Sequence, residues 1–114
     1  MVGERGEIWW IDLGEPRGSG PGFERPAVII QSDFFNQTNI KTCIVAIITS
    51  NLRLAKLAGN VLLSTKASGL KEESVVNVSQ IFTVDREDLL EFVGTLSERK
   101  MEQIDKGLRL VLSL

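Results

Sequence analysis

The chain has 114 residues, with 13 Lys and Arg against 15 Asp and Glu, and 43% of its residues are hydrophobic. These values predict one globular domain over residues 1–114 and argue against a largely disordered chain. The chain contains no histidine and one cysteine, Cys43. This excludes a histidine-based catalytic triad, an internal disulfide and a cysteine-cluster metal site. Cys43 lies in an apolar run and is expected to be buried and inert.

No apolar run in the chain is long enough to span a membrane. The N-terminus is charged and lacks the apolar segment of a signal peptide. We therefore expect a cytoplasmic protein that has no membrane partner.

The first half of the chain predicts three strands separated by loops. The first strand has partial alternation, so one of Trp9 and Trp10 is expected to point to the core and the other to solvent. Gly14–Gly22 has the composition of a flexible loop, and the polar segment Asp33–Asn39 predicts a turn. The second and third strands are continuous apolar runs, which are typical of strands buried on both faces. The three strands are Glu7–Leu13, Pro26–Gln31 and Thr42–Thr49.

The second half predicts four short strands and one helix. Asp85 is expected to cap a short helical turn that ends at Leu90, and Ser97 is a good N-cap for a C-terminal helix. Short strands followed by one helix indicate a mainly β fold, an SH3-like, bent antiparallel barrel with the helix packed against it. The strands are Val61–Leu63, Ser74–Val78, Gln80–Val84 and Phe92–Leu96. The apolar face of the helix is predicted to hold Met101, Ile104, Leu108 and Val111.

Arg25 lies where the glycine-rich loop meets the second predicted strand. Pro26 restricts Arg25 to an extended backbone, which fixes the direction of its side chain. A permanently charged guanidinium is suited to clamp a phosphate or to stabilise a phosphoryl transition state. The structural alternative is an ion pair between Arg25 and Glu24 or Glu7.

Small polar residues offer two further candidate positions. Thr49, Ser50 and Asn51 end the third predicted strand, where such residues either cap a turn or form a site. In the loop, backbone N–H groups near Ser19 and Gly20 are candidates for an anion-binding nest.

The stretch from Phe34 to Lys71 contains no Asp or Glu. It is either a local positive face or a set of cations scattered over a solvated surface. The basic residues of the stretch are Lys41, Arg53, Lys56, Lys66 and Lys71.

Several segments resemble, in order along the chain, the MazF/PemK family of toxin endoribonucleases. They are Arg5–Leu13, Glu24–Asp33, Val45–Ser50, Ser74–Asp85 and Gly94–Ser97. Together they span nearly the whole chain. The chain departs from the family pattern at Ile48, because a proline commonly precedes the Thr-Ser pair there.

The resemblance implies a homodimeric barrel that cuts single-stranded messenger RNA at a short sequence, with no metal or other cofactor. It also implies a cognate antitoxin that blocks the RNA groove. The family's catalytic Arg and Thr match Arg25 and Thr49. Gln80 matches a polar position near the RNA path. With the small polar residues described above, the expected RNA-binding residues are Ser19, Gly20, Ser50, Asn51 and Gln80.

A chain without histidine suits cleavage by the 2′-hydroxyl of the RNA itself, which leaves a 2′,3′-cyclic phosphate and a 5′-hydroxyl. Arg25 is expected to stabilise the developing charge and to donate a proton toward the leaving oxygen. Thr49 is expected to hold a phosphate oxygen or to orient the 2′-hydroxyl. The residues do not identify the proton acceptor.

Two alternatives use the same fold. One is a DNA gyrase poison like the CcdB family, which typically ends in Trp-Gly-Ile, whereas this chain ends in Leu112-Ser113-Leu114. The other is a non-catalytic binding module, in which Arg25 and Thr49 are structural. For the homodimer, the residue-level signal is the apolar character of Ile104, Leu108, Val111 and Leu112, which exceeds what one face of a short helix needs.

Overall fold

The computed structural model describes residues 3–15, 18 and 23–114. One antiparallel sheet contains six strands in the order β4-β5-β3-β2-β1-β6. No helix in the described ranges is long and apolar enough to cross a membrane. The strands are β1 (Glu7–Asp12), β2 (Glu24–Ile29), β3 (Thr42–Thr49), β4 (Val61–Leu63), β5 (Ser74–Asp85) and β6 (Leu89–Thr95). The helices are α1 (Asp33–Asn36), α2 (Thr65–Ser68) and α3 (Glu98–Leu112), and 3₁₀ turns occupy Leu52–Lys56 and Arg86–Asp88.

The sheet curls into a half-barrel whose two edges meet through the α2 segment rather than through a strand pair. β4 and β6 are the edge strands. A Cβ on Gly69 would lie 3.1 Å from the backbone oxygen of Val93, and a Cβ on Gly94 would lie 3.1 Å from that of Ser68. Gly69 also has a φ of 82°, which side chains disfavour. Glycine at both positions therefore lets the turn after α2 approach β6.

The central strands β2 and β3 bury apolar side chains on both faces, as their continuous apolar runs predict. Val28 and Ala46 belong to one buried cluster, which includes Ile104 of α3. Their neighbours in the chain, Ala27 and Ile47, belong to a second cluster. Because successive side chains point to opposite faces of a strand, both faces of the sheet centre are held in place by packing. The predicted mainly β fold with a C-terminal helix is confirmed.

The helix α3 begins as predicted at Ser97, whose hydroxyl accepts a hydrogen bond from the Lys100 N–H at 3.2 Å. Asp105 forms an ion pair with Arg5, which ties the helix to the segment before β1. Gly107 faces the loop before β4 so closely that a Cβ there would overlap the backbone oxygen of Gly59. Glycine at this position in the middle of the helix therefore allows α3 to pack closely against this loop.

Several strand boundaries differ from the prediction. β2 spans Glu24–Ile29 rather than Pro26–Gln31, so Arg25 lies within the strand. The sequence predicts a break in β5 at Ser79, whereas β5 is one strand that bulges there and continues. β6 begins at Leu89 rather than Phe92, so the predicted helical turn is confined to Arg86–Asp88. Asp85 makes no side-chain capping bond to that turn.

Three other expectations also need correction. A short helix replaces the turn predicted after Ser32, because the Ser32 hydroxyl accepts a hydrogen bond from the Phe34 N–H at 3.2 Å and caps it. Trp9 and Trp10 are both half-buried, since each packs against a different core cluster. Val111 is 42% exposed and does not belong to the core face of α3.

Candidate active site

A cleft of about 1140 Å³ opens at the adjacent ends of β2 and β3. It brings together every predicted site residue that the structure describes. These are Arg25, Thr49, Ser50, Asn51 and Gln80. Ser19 and Gly20, the predicted anion nest, lie outside the described residues.

Arg25 and Thr49 are brought opposite each other by the register of β2 and β3. The last pair that these antiparallel strands form at this end is Ala27 with Ile47. The same register, continued by two residues on each strand, places Arg25 opposite Thr49. A step of two residues returns to the same face of a strand, so both side chains leave the sheet on one side. The cleft therefore has a cation and a hydroxyl at one strand end.

The Arg25 side chain is open to solvent, although its partner on β1, Ile11, is fully buried. Among the described residues, Arg25 forms no ion pair, so the predicted alternative of a pair with Glu24 or Glu7 does not occur. Glu7 instead accepts a hydrogen bond from the Trp9 indole N–H at 2.9 Å. The Arg25 guanidinium is thus available for an anionic ligand.

The Thr49 hydroxyl is part of a turn as well as of the cleft. Its oxygen accepts a hydrogen bond from the Asn51 N–H at 3.1 Å, and the Asn51 side-chain oxygen accepts one from the Arg53 N–H at 3.2 Å. These two contacts end β3 and begin the 3₁₀ turn. Because the Thr49 oxygen is already an acceptor, its hydroxyl proton remains to be donated to another group.

Gln80 reaches the cleft because β5 carries a bulge. Residues 78–80 of β5 have no partner on β3, and side chains bind the backbone N–H groups of Val78 and Ser79. The Val78 N–H donates to the Asn60 side-chain oxygen at 3.0 Å, and the Ser79 N–H donates to Asn77 Oδ1 at 3.3 Å. Such bulges change the direction of a side chain next to them. The strand pairs on either side are Ala46 with Ile81 and Ile47 with Asn77.

Several residues that line the cleft are not identified from the sequence as site residues. Of the basic residues between positions 34 and 71, Lys71 alone is among the described lining residues. The sequence gives a weak indication that Trp10 belongs to a site, since an outward-facing tryptophan can stack on a nucleic-acid base. The sequence gives no such indication for the residues of β6, because the pairing of β1 with β6 joins distant parts of the chain. The additional lining residues include Trp10, Lys71, Glu72, Glu91 and Phe92.

Cys43 is outside the cleft. It is buried in the second core cluster, and this burial raises the pKa of its thiol. Among the residues that the structure describes, no group of three or more Cys, Asp or Glu side chains is placed to hold a metal ion.

Comparison with known sequences identifies relatives over the whole chain. The sequence profile of the PemK-like, MazF-like toxins of type II toxin–antitoxin systems matches residues 4–112. Endoribonuclease MazF6 of Mycobacterium tuberculosis (strain ATCC 25618 / H37Rv) is 46% identical over 114 residues, which is 100% of both chains. Endoribonuclease EndoA of Bacillus subtilis (strain 168) is 34% identical over 100% of this chain and 97% of that protein.

Solved structures share the fold at lower sequence identity. MazF from Deinococcus radiodurans aligns with a TM-score of 0.81 at 18% identity, over 100% of this chain and 99% of that one. An endoribonuclease from a mycobacterial species, in complex with its cognate antitoxin, aligns with a TM-score of 0.77 at 20% identity, over 97% and 95%. Both likenesses support the bent antiparallel architecture.

The fold and the sequence profile define a toxin of a type II toxin–antitoxin system. The chain belongs to the PemK-like, MazF-like toxin family. The endoribonuclease class predicted from the sequence is confirmed by relatives that match along their full length. These matches favour a nuclease over the gyrase-poison and binding-module alternatives.

Proposed function

We propose that the chain cuts single-stranded messenger RNA at a short sequence without a metal ion or other cofactor. The 2′-hydroxyl of the RNA attacks the adjacent phosphorus, and the bond from phosphorus to the 5′-oxygen breaks. The products are a 2′,3′-cyclic phosphate and a 5′-hydroxyl. The observation that carries this proposal is the placement of Arg25 opposite Thr49 in one cleft. In-line attack needs fixed geometry and charge stabilisation, which paired strand ends supply.

In this mechanism Arg25 acts on the charge that develops at phosphorus. Its guanidinium has several N–H donors in one plane, so it binds the phosphate oxygens and also donates toward the departing 5′-oxygen. A guanidinium has N–H donors and no acceptor, so Arg25 is not the base that accepts the proton of the 2′-hydroxyl. Its exposed position and lack of an ion pair within the described ranges leave its charge for the phosphate.

Thr49 holds a phosphate oxygen through its hydroxyl proton. The Asn51 N–H occupies the Thr49 oxygen at 3.1 Å, and this bond orients the hydroxyl for donation. The side-chain amide of Asn51 keeps its N–H groups for the substrate, since among the described residues only its oxygen has a hydrogen-bond partner, the Arg53 N–H. Ser50 and Gln80 add further polar groups to the same cleft.

We also propose that two copies of the chain form a homodimer. The C-terminal end of α3 exposes a group of apolar side chains, which water disfavours. Leu110 is 59% exposed, Leu112 is 52% exposed and Leu114 is 85% exposed. Ile104 and Leu108, which contribute to the prediction from the sequence, pack instead against the core of their own chain. The dimer surface is therefore assigned to the last turn of α3.

A cognate antitoxin is the further proposed partner, and the cytoplasm is the proposed location of the toxin, its antitoxin and its messenger RNA. We infer that an acidic antitoxin segment competes with RNA for the cleft, because Arg25 and Lys71 present positive charge there. Competition for one cleft inhibits the toxin without any change in its fold.

The nuclease proposal is tested with a labelled single-stranded RNA in EDTA. The wild-type protein is expected to make discrete cuts that leave cyclic-phosphate ends. Arg25→Ala removes the cleft cation, while Arg99→Ala removes an exposed cation on α3 outside the cleft and serves as the control. Loss of wild-type cleavage in EDTA contradicts a metal-independent reaction. Equal rates for folded Arg25→Ala and the wild type contradict the assigned site.

A further inference from the structure

Trp10 and Glu91 are direct neighbours across β1 and β6, and both side chains line the cleft. The register of the two strands shifts on either side of this position, between Ile8 and Trp9 and again between Trp10 and Ile11. Bulges of this kind re-aim side chains and often occur next to active sites. The two shifts set the Trp9–Phe92 and Trp10–Glu91 pairs apart from the regular ladder.

The adjacent strand pair, Trp9 with Phe92, fixes this arrangement. The two rings meet edge to face, with centroids 5.6 Å apart and an angle of 65° between their planes. The Trp9 indole N–H is bound to Glu7 at 2.9 Å. Trp9 therefore has a structural role, and it holds the register in which Glu91 faces Trp10.

The polar atoms of Trp10 and Glu91, in contrast, are unused within the described part of the chain. No hydrogen bond joins the Trp10 N–H to a described residue, and within the described ranges no buried side-chain nitrogen or oxygen lacks a partner. The Trp10 N–H is consequently accessible to solvent, and the Trp10 side chain is one of those that line the cleft. Glu91 is exposed and forms no ion pair with any described residue. A flat indole, one donor and one carboxylate acceptor thus lie side by side.

A carboxylate in an RNA cleft requires an explanation, because it repels phosphate. Arg25 and Lys71 line the same cleft and attract phosphate. Glu91 opposes that attraction unless it accepts hydrogen bonds from a base. Glu72 also lines the cleft, but it belongs to the loop before β5 and not to a paired strand. Glu91 is therefore the better-fixed acceptor of the two.

We propose that Trp10 and Glu91 form a base-recognition subsite that selects guanine in the RNA substrate. This inference rests on the proposed function and specifies one base that the proposed nuclease prefers in its RNA substrate. Guanine presents two adjacent donors, N1–H and the N2 amine, which one carboxylate accepts together, and the Trp10 N–H donates to O6. Adenine and cytosine present an amine beside an acceptor, and uracil presents one N–H between two carbonyls.

The experiment cuts a random-sequence single-stranded RNA library and sequences the new ends. Wild-type cuts are expected to show guanine at one fixed distance from the cleaved bond. Inosine at that position, which lacks the N2 amine, should slow wild-type cleavage roughly 10- to 100-fold. Glu91→Gln should lose both the guanine preference and the sensitivity to inosine. Glu72→Gln, which makes the same charge change in the same cleft, should keep both.

Trp10→Phe provides a second variant that keeps an aromatic ring but removes the N–H donor. Its rate of cleavage is expected to fall equally for substrates with guanine and with inosine, since both bases have O6. Thermal unfolding of each variant establishes that it is folded.

The outcomes separate this inference from the proposed function. An unchanged preference in Glu91→Gln overturns the subsite, and so does a uniform increase of rate at all sites, which would mean that Glu91 only repels phosphate. Wild-type cuts without guanine at any fixed position overturn the subsite while RNA cleavage itself stands. Failure of the wild type to cut any RNA overturns the proposed function and the subsite with it.

Discussion

The Thr49 hydroxyl accepts a hydrogen bond from the Asn51 N–H at 3.1 Å, and this single contact links the end of a buried strand to the cleft. The residue before Thr49, Ile48, is fully buried, while Thr49 itself is half-buried and Ser50 is exposed. The chain therefore passes from the buried core at Ile48 to the edge of the cleft at Thr49, the next residue. The hydrogen bond from Asn51 fixes the position of the Thr49 hydroxyl before a substrate binds.

Thr49→Val should therefore reduce both the rate of RNA cleavage and the stability of the fold. Valine keeps the branched shape but has neither the acceptor for Asn51 nor a proton to donate. We expect the cleavage rate to fall about 10-fold or more. The free energy of unfolding should fall by about 1 kcal/mol, as for one lost hydrogen bond. Thr49→Ser keeps both groups and should stay near wild type, measured by initial rates and by thermal unfolding.

Arg25→Ala should reduce the rate of cleavage by about 100-fold or more, since one electrostatic catalyst commonly contributes that much. Arg25→Lys keeps the charge but loses the planar set of donors, so its rate should lie between those of alanine and the wild type. Thermal unfolding should be unchanged in both, because Arg25 is exposed and without an ion pair to a described residue. A wild-type rate for Arg25→Lys would mean that charge alone suffices.

Local patterns in the sequence predict the parts of this site that follow from burial and chain order. The apolar runs before Thr49 and after Arg25 predict the two central strands, and Ser97 predicts where α3 begins. The bulge that turns Gln80 into the cleft is not predicted from the sequence. A polar residue such as Ser79 within an apolar run is compatible both with a break between two strands and with a bulge in one strand, and the sequence favours the break. Glu91 is not predicted either, since its place depends on pairing with a strand about 80 residues earlier.

Leu112→Glu should convert the proposed dimer into a monomer. The side chain is 52% exposed in the single chain, so a carboxylate there needs little rearrangement of the monomer fold. In a dimer that covers the end of α3, the same carboxylate would be removed from water at a high cost. Light scattering at micromolar concentration measures the mass, and Gln103→Glu places the same charge on an exposed position of α3 as a control. A monomeric wild type would contradict the dimer itself.

Gly107→Ala should destabilise the fold, although alanine normally stabilises a helix interior relative to glycine by about 1 kcal/mol. The added Cβ would overlap the backbone oxygen of Gly59, which is part of the chain and not a flexible side-chain end. Overpacking of this kind costs about 1–3 kcal/mol, so the net effect is a loss of unfolding free energy. Denaturant unfolding at matched protein concentration measures it. Lys106→Ala, at an exposed neighbouring position, should change little.

Cys43 should resist alkylation by iodoacetamide in the native protein and react once the chain is unfolded in denaturant. Burial among apolar side chains disfavours the thiolate and raises the pKa of the thiol above its ordinary value of 9.0. The folded state therefore keeps a proton that the unfolded state releases. The free energy of unfolding contributed by this proton is complete below about pH 9 and decreases as the pH rises further.

Cys43→Ala removes this titration and isolates its effect. The alanine variant should be less stable at neutral pH, because it leaves a small cavity in the second core cluster. The difference in unfolding free energy between the wild type and Cys43→Ala should then shrink as the pH rises above 9, since only the wild type loses the stabilisation of a buried thiol. A difference that stays constant up to pH 10 would mean that the Cys43 thiolate is no more costly in the fold than in water.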